Sequence, residues 1–324
     1  MKKFFIFICC CFFALSVFAN EPSHHFAVTA DFAFYPESSP VAVGSDQDDI
    51  IRFAPITGVY EKLEARVVAK YTYKIPTPFS DNPLVKGNNL QLSTFLEMTP
   101  ISVAPEFKVT FVPIAFLNFS AGAKVGSAWN MMGLQGIGKL ESNETGYANL
   151  NSFSKMFYEF KFSNLFQFDL GAIIPGDWTH VVTQATYDII YNGLTGMPKG
   201  ESWLYQGTGE KFIGWNYYSN IILGYQMPLV LQTVGVQFEF SGYYKNNVFN
   251  PEYMEWNPSF SKICINPVFI LKFNEKNVLT IQTSFASRRG YSESAGDDKT
   301  DFNLNYNGRE WHFNRVALSY THTF

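Results

Sequence analysis

Residues 312–324 read H-F-N-R-V-A-L-S-Y-T-H-T-F, and their spacing decides the fold class. Val316, Leu318, Tyr320 and Phe324 alternate with Arg315, Ala317, Ser319, Thr321 and Thr323. A strand points successive side chains to opposite faces, so this segment has one apolar and one polar face. The same period of two recurs along the chain. At 63–74, Leu63, Ala65, Val67, Ala69, Tyr71 and Tyr73 oppose Glu64, Arg66, Val68, Lys70, Thr72 and Lys74. At 156–174, Met156, Tyr158, Phe160, Phe162, Phe166, Phe168, Leu170, Ala172 and Ile174 hold one unbroken parity. The chain reads as all-β.

Composition narrows the class. Aromatic residues make up 18% and charged residues 16% of the 324 positions, against ~25% charged in an ordinary soluble domain. A soluble fold would need a large core to hide so many rings, whereas a barrel in lipid displays them outward. No run of about 18 apolar residues follows position 19, so no helix is expected to span a membrane. With its alternation and terminal aromatic residue, segment 312–324 resembles the closing strand of bacterial outer-membrane β-barrel proteins. The resemblance is to that class and to no particular family. It implies a transmembrane antiparallel up-and-down β-barrel, set in outer-membrane lipid of a diderm, Gram-negative-type bacterium. It also implies that barrel-assembly machinery reads Phe324, with Tyr320 on the same face, as the assembly signal.

The front end fits export. Lys2 and Lys3, the apolar run 4–15 and Val17-Phe18-Ala19 are the three parts of a signal peptide, 1–19, cleaved after Ala19. A lipoprotein site at Cys9, Cys10 or Cys11 lacks the small residue it needs upstream, the preceding residues being Phe-Ile-Phe-Ile. Residues 20–324 are then one barrel domain carrying 22 basic and 28 acidic side chains. Only Cys264 survives cleavage, so no intramolecular disulfide forms. The first strand begins a few residues after the signal, leaving no plug domain ahead of the barrel and arguing against energy-coupled uptake.

Strands are expected at 25–35, 50–60, 63–74, 89–112, 117–125, 156–174, 180–191, 212–225, 231–245, 261–273, 278–288 and 312–324. Segment 89–112 is ambiguous. Leu90, Leu92, Leu96 and Met98 hold one parity, and Val103, Phe107, Val109 and Phe111 the other. Such a flip marks either a turn near Thr99-Pro100-Ile101 or one strand carrying a bulge. Barrels of this class have an even strand number, with short turns at one end and long loops at the other. Long connections (36–49, 76–88, 130–154, 192–210, 246–258, 289–309) alternate with short ones (60–62, 113–116, 175–178, around 228, 274–277) only if 89–112 is one bulged strand. That gives about twelve strands, with fourteen as the alternative.

On this register the lipid face carries almost no charge, as the cost of Lys or Arg at mid-bilayer (roughly 2–4 kcal/mol) requires. The opposite face holds twelve basic residues, Arg52, Arg66, Lys70, Lys74, Lys108, Lys124, Lys161, Lys245, Lys262, Lys272, Arg288 and Arg315. It also holds eight acidic ones, Asp31, Glu64, Glu97, Glu106, Glu159, Asp169, Asp188 and Glu239. Rings of fixed charge set selectivity, so a pore built this way would weakly favour anions among small hydrophilic solutes. If the charges pair across the lumen instead, they plug it, as side chains fill small barrels. The competing class is a closed barrel acting in adhesion through its outer loops. The six Trp residues lie mostly near expected strand ends, which suits an interfacial girdle.

Catalytic chemistry has little to stand on. A barrel lipid hydrolase needs a Ser with a base in hydrogen-bond reach, and no Ser accompanies His180, Gln184 and Asp188 on their strand face. His312 and His322 share the expected lipid-side parity, and Ser319 has the other. No G-x-S-x-G occurs, and Gly133, Gly136 and Gly138 are spaced G-x-x-G-x-G, not as a dinucleotide loop. The acidic clusters at 46–49 and 297–301 lack calcium-loop spacing. No enzyme activity, metal, cofactor or nucleic-acid partner is expected.

Overall fold

A computed structural model describes residues 22–36, 52–53, 60–77, 82, 84–131, 133–206, 208–291 and 300–324. The expected signal peptide and the acidic clusters at 46–49 and 297–298 lie outside the described residues. Twelve strands form the wall: β1 (Ser23–Pro36), β2 (Tyr60–Pro76), β3 (Asn89–Thr99), β4 (Ser102–Ile114), β5 (Leu117–Ala128) and β6 (Met156–Asp169), then β7 (Val181–Leu194), β8 (Gly214–Gln226), β9 (Leu231–Tyr243), β10 (Lys262–Lys272), β11 (Asn277–Tyr291) and β12 (Tyr306–Thr323). Each pairs antiparallel with the next in sequence, and β1 pairs with β12 from Ala27↔Thr323 to Phe34↔Val316. The sheet is closed. In hydrocarbon no water can satisfy an open edge, so closure lets such a sheet stand in lipid.

The alternation sorts the two faces. Phe32, Val67, Met98, Phe107, Phe162, Leu223 and Leu318 are exposed on the outer surface, while the intervening positions face the lumen. The tight pairings along each strand, for example Asp31↔Arg66, Val68↔Glu97 and Glu106↔Lys124, bring polar neighbours together on the inward side. Among the described residues no helix is long and apolar enough to cross a membrane.

Twelve strands stand where about twelve were expected, but two differences compensate. Segment 89–112 is two strands, β3 and β4, paired from Asn89↔Val112 to Thr99↔Ser102 across a tight turn. The parity flip thus marks a turn; Thr99 Oγ1 accepts from the Ile101 N–H and meets Ser102 Oγ at 2.8 Å, holding it. Within 50–60, residues 52–53 and 60 are described: Arg52–Phe53 is a short parallel addition to β12, and Tyr60 begins β2. β1 pairs directly with β2. In consequence the 77–88 connection lies at the end of the barrel that holds both termini, where the Ala115 N–H donates to Leu84 O. The 99–102 turn lies at the opposite end, which shall be called the outer end. Length therefore does not sort the connections without exception.

Two further boundaries differ. β6 stops at Asp169 rather than at 174, because its carboxylate accepts from the Gly171 N–H and caps a 3-10 turn, Leu170–Ala172. In β12 the register against β11 shifts by one residue between Ser284↔Arg315 and Phe285↔Phe313. That bulge at Asn314 reverses parity, so His312 lines a lumen cavity while His322 packs on Phe324.

The outer end is not an open ring of loops. Ile137–Ser142, Gly146–Asn149, Trp203–Tyr205 and Thr208–Lys211 form a second, four-stranded sheet. One buried cluster joins Ile137 and Trp203 to the inward-facing Ala104, Ala128, Phe157 and Leu194 of the wall. Another gathers Leu140, Phe212, Tyr253, Trp256, Tyr291, Phe302 and Leu304 from the outer connections. Trp203, Trp256 and Trp311 are buried, while Trp178 and Trp215 are exposed as girdle residues would be.

Candidate functional site

The site is the lumen, and its chemistry starts from the strand register. Of the residues expected to line it, Arg66, Lys70, Lys74, Lys108, Lys124, Lys161, Lys262, Arg288, Arg315, Glu64, Glu97 and Glu239 fall on inward positions, as their pairings require. Lys272 is at the end of β10, bound to Glu275 at 2.8 Å, and Lys245 lies beyond β9. Arg52 sits in the short parallel strand beside Glu310; its side chain is outside the described residues. Asp169 lies at the terminal end of the barrel, 2.7 Å from His180.

Some of these charges are paired along the wall. Arg66 reaches Asp31 at 2.7 Å and Glu97 at 3.3 Å, and Glu97 in turn takes Lys124 at 3.0 Å. One chain of alternating charge thus runs across β1, β2, β3 and β5. Lys161 lies 3.9 Å from Glu106 and 3.8 Å from Glu159. The Glu310 carboxylate is fully buried and bound to Arg288 at 3.0 Å. Glu239 accepts from Tyr218 and, at 2.6 Å, from the Asn266 amide. Tyr35 donates to Glu64 at 2.8 Å and accepts from Arg315 at 3.1 Å. Lys70 and Lys108 flank one ring, Phe95, at 5.5 and 5.0 Å. Among the described residues Lys70, Lys74, Lys108 and Lys262 have no carboxylate within 4 Å, so positive charge remains on the inward face.

The hairpin of Trp203–Tyr205 and Thr208–Lys211 enters the lumen from the outer end. Gln206, at φ 52°, takes the left-handed conformation that turns it. At its base Tyr147 Oη meets Ser202 Oγ at 2.6 Å and accepts from the Glu210 N–H. Near its tip the Tyr205 hydroxyl donates to Ser102 Oγ at 3.2 Å, and the Gln206 amide donates to Thr99 Oγ1 at 3.1 Å and to Ser102. The Tyr205 ring lies 4.5 Å from Phe157. Burial pushes its phenol up to about 12. Glu210 bonds Arg289 at 3.0 Å, and that guanidinium lies 3.3 Å over the Trp256 ring. From its sequence 192–210 reads as a loop. The signal it carries, Trp203 and Tyr205 on one parity before Gly207 and Gly209, is a weak hairpin mark.

Beside the hairpin is a cavity of about 1110 Å³, lined by Glu159, Asp188, Glu210, Lys211, Lys262, Arg288, Arg289 and His312 with several aromatic residues. A second, about 330 Å³, lies deeper between Tyr35, Glu64, Glu239, Cys264 and Arg315. Thr208, Tyr218, Ser241 and Lys262 line both. Cys264 is buried there as a free thiol. Among the described residues no cluster of three or more His, Cys, Asp or Glu could hold a metal ion.

No family model matches the chain, and no curated protein matches it. Solved structures similar in shape are bacterial outer-membrane barrels. An outer-membrane channel from Pseudomonas putida F1 aligns with a TM-score of 0.47 and 10% identity over 95% of this chain and 98% of that one. The β domain of the Bordetella autotransporter BrkA gives 0.43 and 8% over 93% and 100%. The KdgM porin gives 0.37 and 9% over 91% and 99%. At these scores no function passes from those proteins to this one.

Proposed function

We propose that the protein is an outer-membrane channel for passive passage of small hydrophilic solutes, narrowed by the inserted hairpin. The observation that carries this reading is the pair of polar cavities with a shared wall, which continue past the hairpin from Arg289 to Glu64. A barrel filled by its own side chains, as small ones are, leaves no such space. The lipid-facing belt sets it in a membrane, and the resemblance of the closing strand to outer-membrane barrels supports that membrane and its assembly machinery as partners. Selectivity would come from residues left unneutralised near the hairpin, since paired charges present little net field to a passing ion.

The test is single-channel recording of refolded protein in a planar bilayer. Stable current steps, with a reversal potential shifted toward anions in a salt gradient, are expected. A folded barrel that stays silent would sink the channel reading. The second reading, a closed barrel acting through its outer end, is favoured by the buried aromatic cluster of Phe212, Tyr253, Trp256 and Phe302; silence would leave that one standing.

A further inference from the structure

The large cavity contains acids and bases, but they are not equally committed. Glu210 is bound to Arg289 at 3.0 Å, and Glu159 lies 3.8 Å from Lys161. Asp188 accepts from Ser163 at 2.5 Å. Arg288 is held by Glu310, its cross-strand neighbour on β12, which is fully buried. Two ammonium groups remain. Lys211, on the hairpin, and Lys262, at the start of β10, line the same cavity, and among the described residues neither has a carboxylate within 4 Å. They come from elements far apart in sequence, and the hairpin's contacts to Tyr147 and Arg289 hold them facing one space.

We propose that Lys211 and Lys262, with His312 beside them, form a binding site for a small organic anion: a carboxylate or phosphate ester carried on a ring-shaped body. Ammonium groups lining one cavity make charge-assisted hydrogen bonds to such oxygens, and a bound anion supplies the counter-charge that the wall withholds. Burial holds the Lys211 ammonium below its ordinary pKa; Glu159 opposes this and Lys262 adds to it. An anion there relieves both the burial cost and the mutual repulsion. The body of the ligand has its own surface. Tyr218 and Tyr243 line the same cavity, and aromatic rings pack against flat or cyclic molecules. A volume near 1110 Å³ accommodates a monosaccharide-sized ligand with water around it.

The inference takes its biological sense from the channel reading, but its test does not depend on current. Refolded full-length protein in detergent is titrated calorimetrically with glucuronate, glucose 6-phosphate and glucose. Binding of the anionic sugars and none of glucose is expected, and a preference between the two assigns carboxylate or phosphate. Lys211→Gln and Lys262→Gln should each weaken that binding about ten-fold, the scale of one lost charge-assisted hydrogen bond. Lys86→Gln, which removes a charge from an exposed turn at the other end, should bind as the unsubstituted protein does. Retained heat-modifiable migration shows that each variant is folded. Equal binding of glucose, or anion binding unchanged in both lysine variants, overturns the proposal. A silent barrel that still binds the anions sinks the channel and keeps the site; a conducting barrel that binds none does the reverse.

Discussion

At the scale of single residues, the lumen holds two kinds of ion pair, and they should respond differently to mutation. The Glu310 carboxylate is wholly buried against Arg288 at 3.0 Å. Removing one partner of such a pair strands the other charge out of water, at a cost of about 3–5 kcal/mol. Arg288→Gln, which strands the buried Glu310 carboxylate, should therefore lower the unfolding free energy in urea by about that much. Adding Glu310→Gln to it should cost less than the two single changes together, since the two residues share one bond. Glu97 is the contrasting case. It bridges Arg66 and Lys124, but the Arg66 side chain is 48% exposed, so water screens the loss and stability should fall by about 1 kcal/mol or less. Its effect belongs to selectivity: Glu97→Gln leaves Lys124 uncompensated, and the reversal potential in a salt gradient should move toward anions. An unchanged potential would place that network off the path of ions. Period-two spacing puts Glu97, Arg66 and Lys124 on one face, and in the fold they touch. It could not say that they neutralise each other, because pairing depends on the register between strands. His312 was misplaced for a related reason: a one-residue bulge at Asn314 leaves no mark in the sequence.

At the scale of elements, the hairpin of Trp203–Lys211 governs what can pass. Replacing 204–210 by a short Gly-Ser linker should raise open-channel conductance by roughly a factor of two or more, since it removes the constriction without touching the wall. Conductance that stays the same would mean the narrowest point lies elsewhere. The outer connections around the hairpin add a pH term. Burial, and then the nearby Glu210, hold the Asp301 carboxyl above the ordinary carboxylate range. A raised folded-state pKa means that the protonated form favours the packed arrangement. That stabilisation is complete below the ordinary carboxylate value and is lost as pH rises through the raised one. Acidification should thus tighten the outer cluster, seen as slower proteolysis of the 300–306 region at acid pH, and Asp301→Asn should abolish the dependence. The hairpin was hard to read because strands of three and four residues are too short to establish a period. Phe212, Trp256 and Phe302 were hidden differently. Trp256 reads singly as a girdle residue, Phe212 opens an expected strand and Phe302 lies in an expected loop; only the fold shows them packed on one another at 4.5–6.3 Å.

At the scale of the whole molecule, the barrel follows from one constraint applied twelve times: each strand must show lipid one face and water the other. That is why fold class is legible from alternation alone, even though 89–112 is two strands rather than one. Segment 89–112 holds a turn and β1 pairs directly with β2, so the count survives while the sidedness of 77–88 does not. The same constraint predicts how neighbouring positions differ. Val67 is outward, 47% exposed beside Met98, while Val68 is inward and paired in register with Glu97. Both lie near the middle of β2, so depth in the bilayer is nearly the same for the two. Val67→Arg must set a guanidinium into hydrocarbon and should cost roughly 2–4 kcal/mol in unfolding measured from lipid vesicles. Val68→Arg should cost under about 1 kcal/mol, because the side chain enters a polar lumen with Glu97 as a neighbour. The contrast, rather than either value, carries the test. A general intolerance of arginine in β2 would lower both variants alike; only a wall with lipid on one side and water on the other separates residues that are adjacent in sequence. Equal losses would mean that β2 does not stand between those two solvents, and the barrel as a membrane-spanning wall would have to be given up.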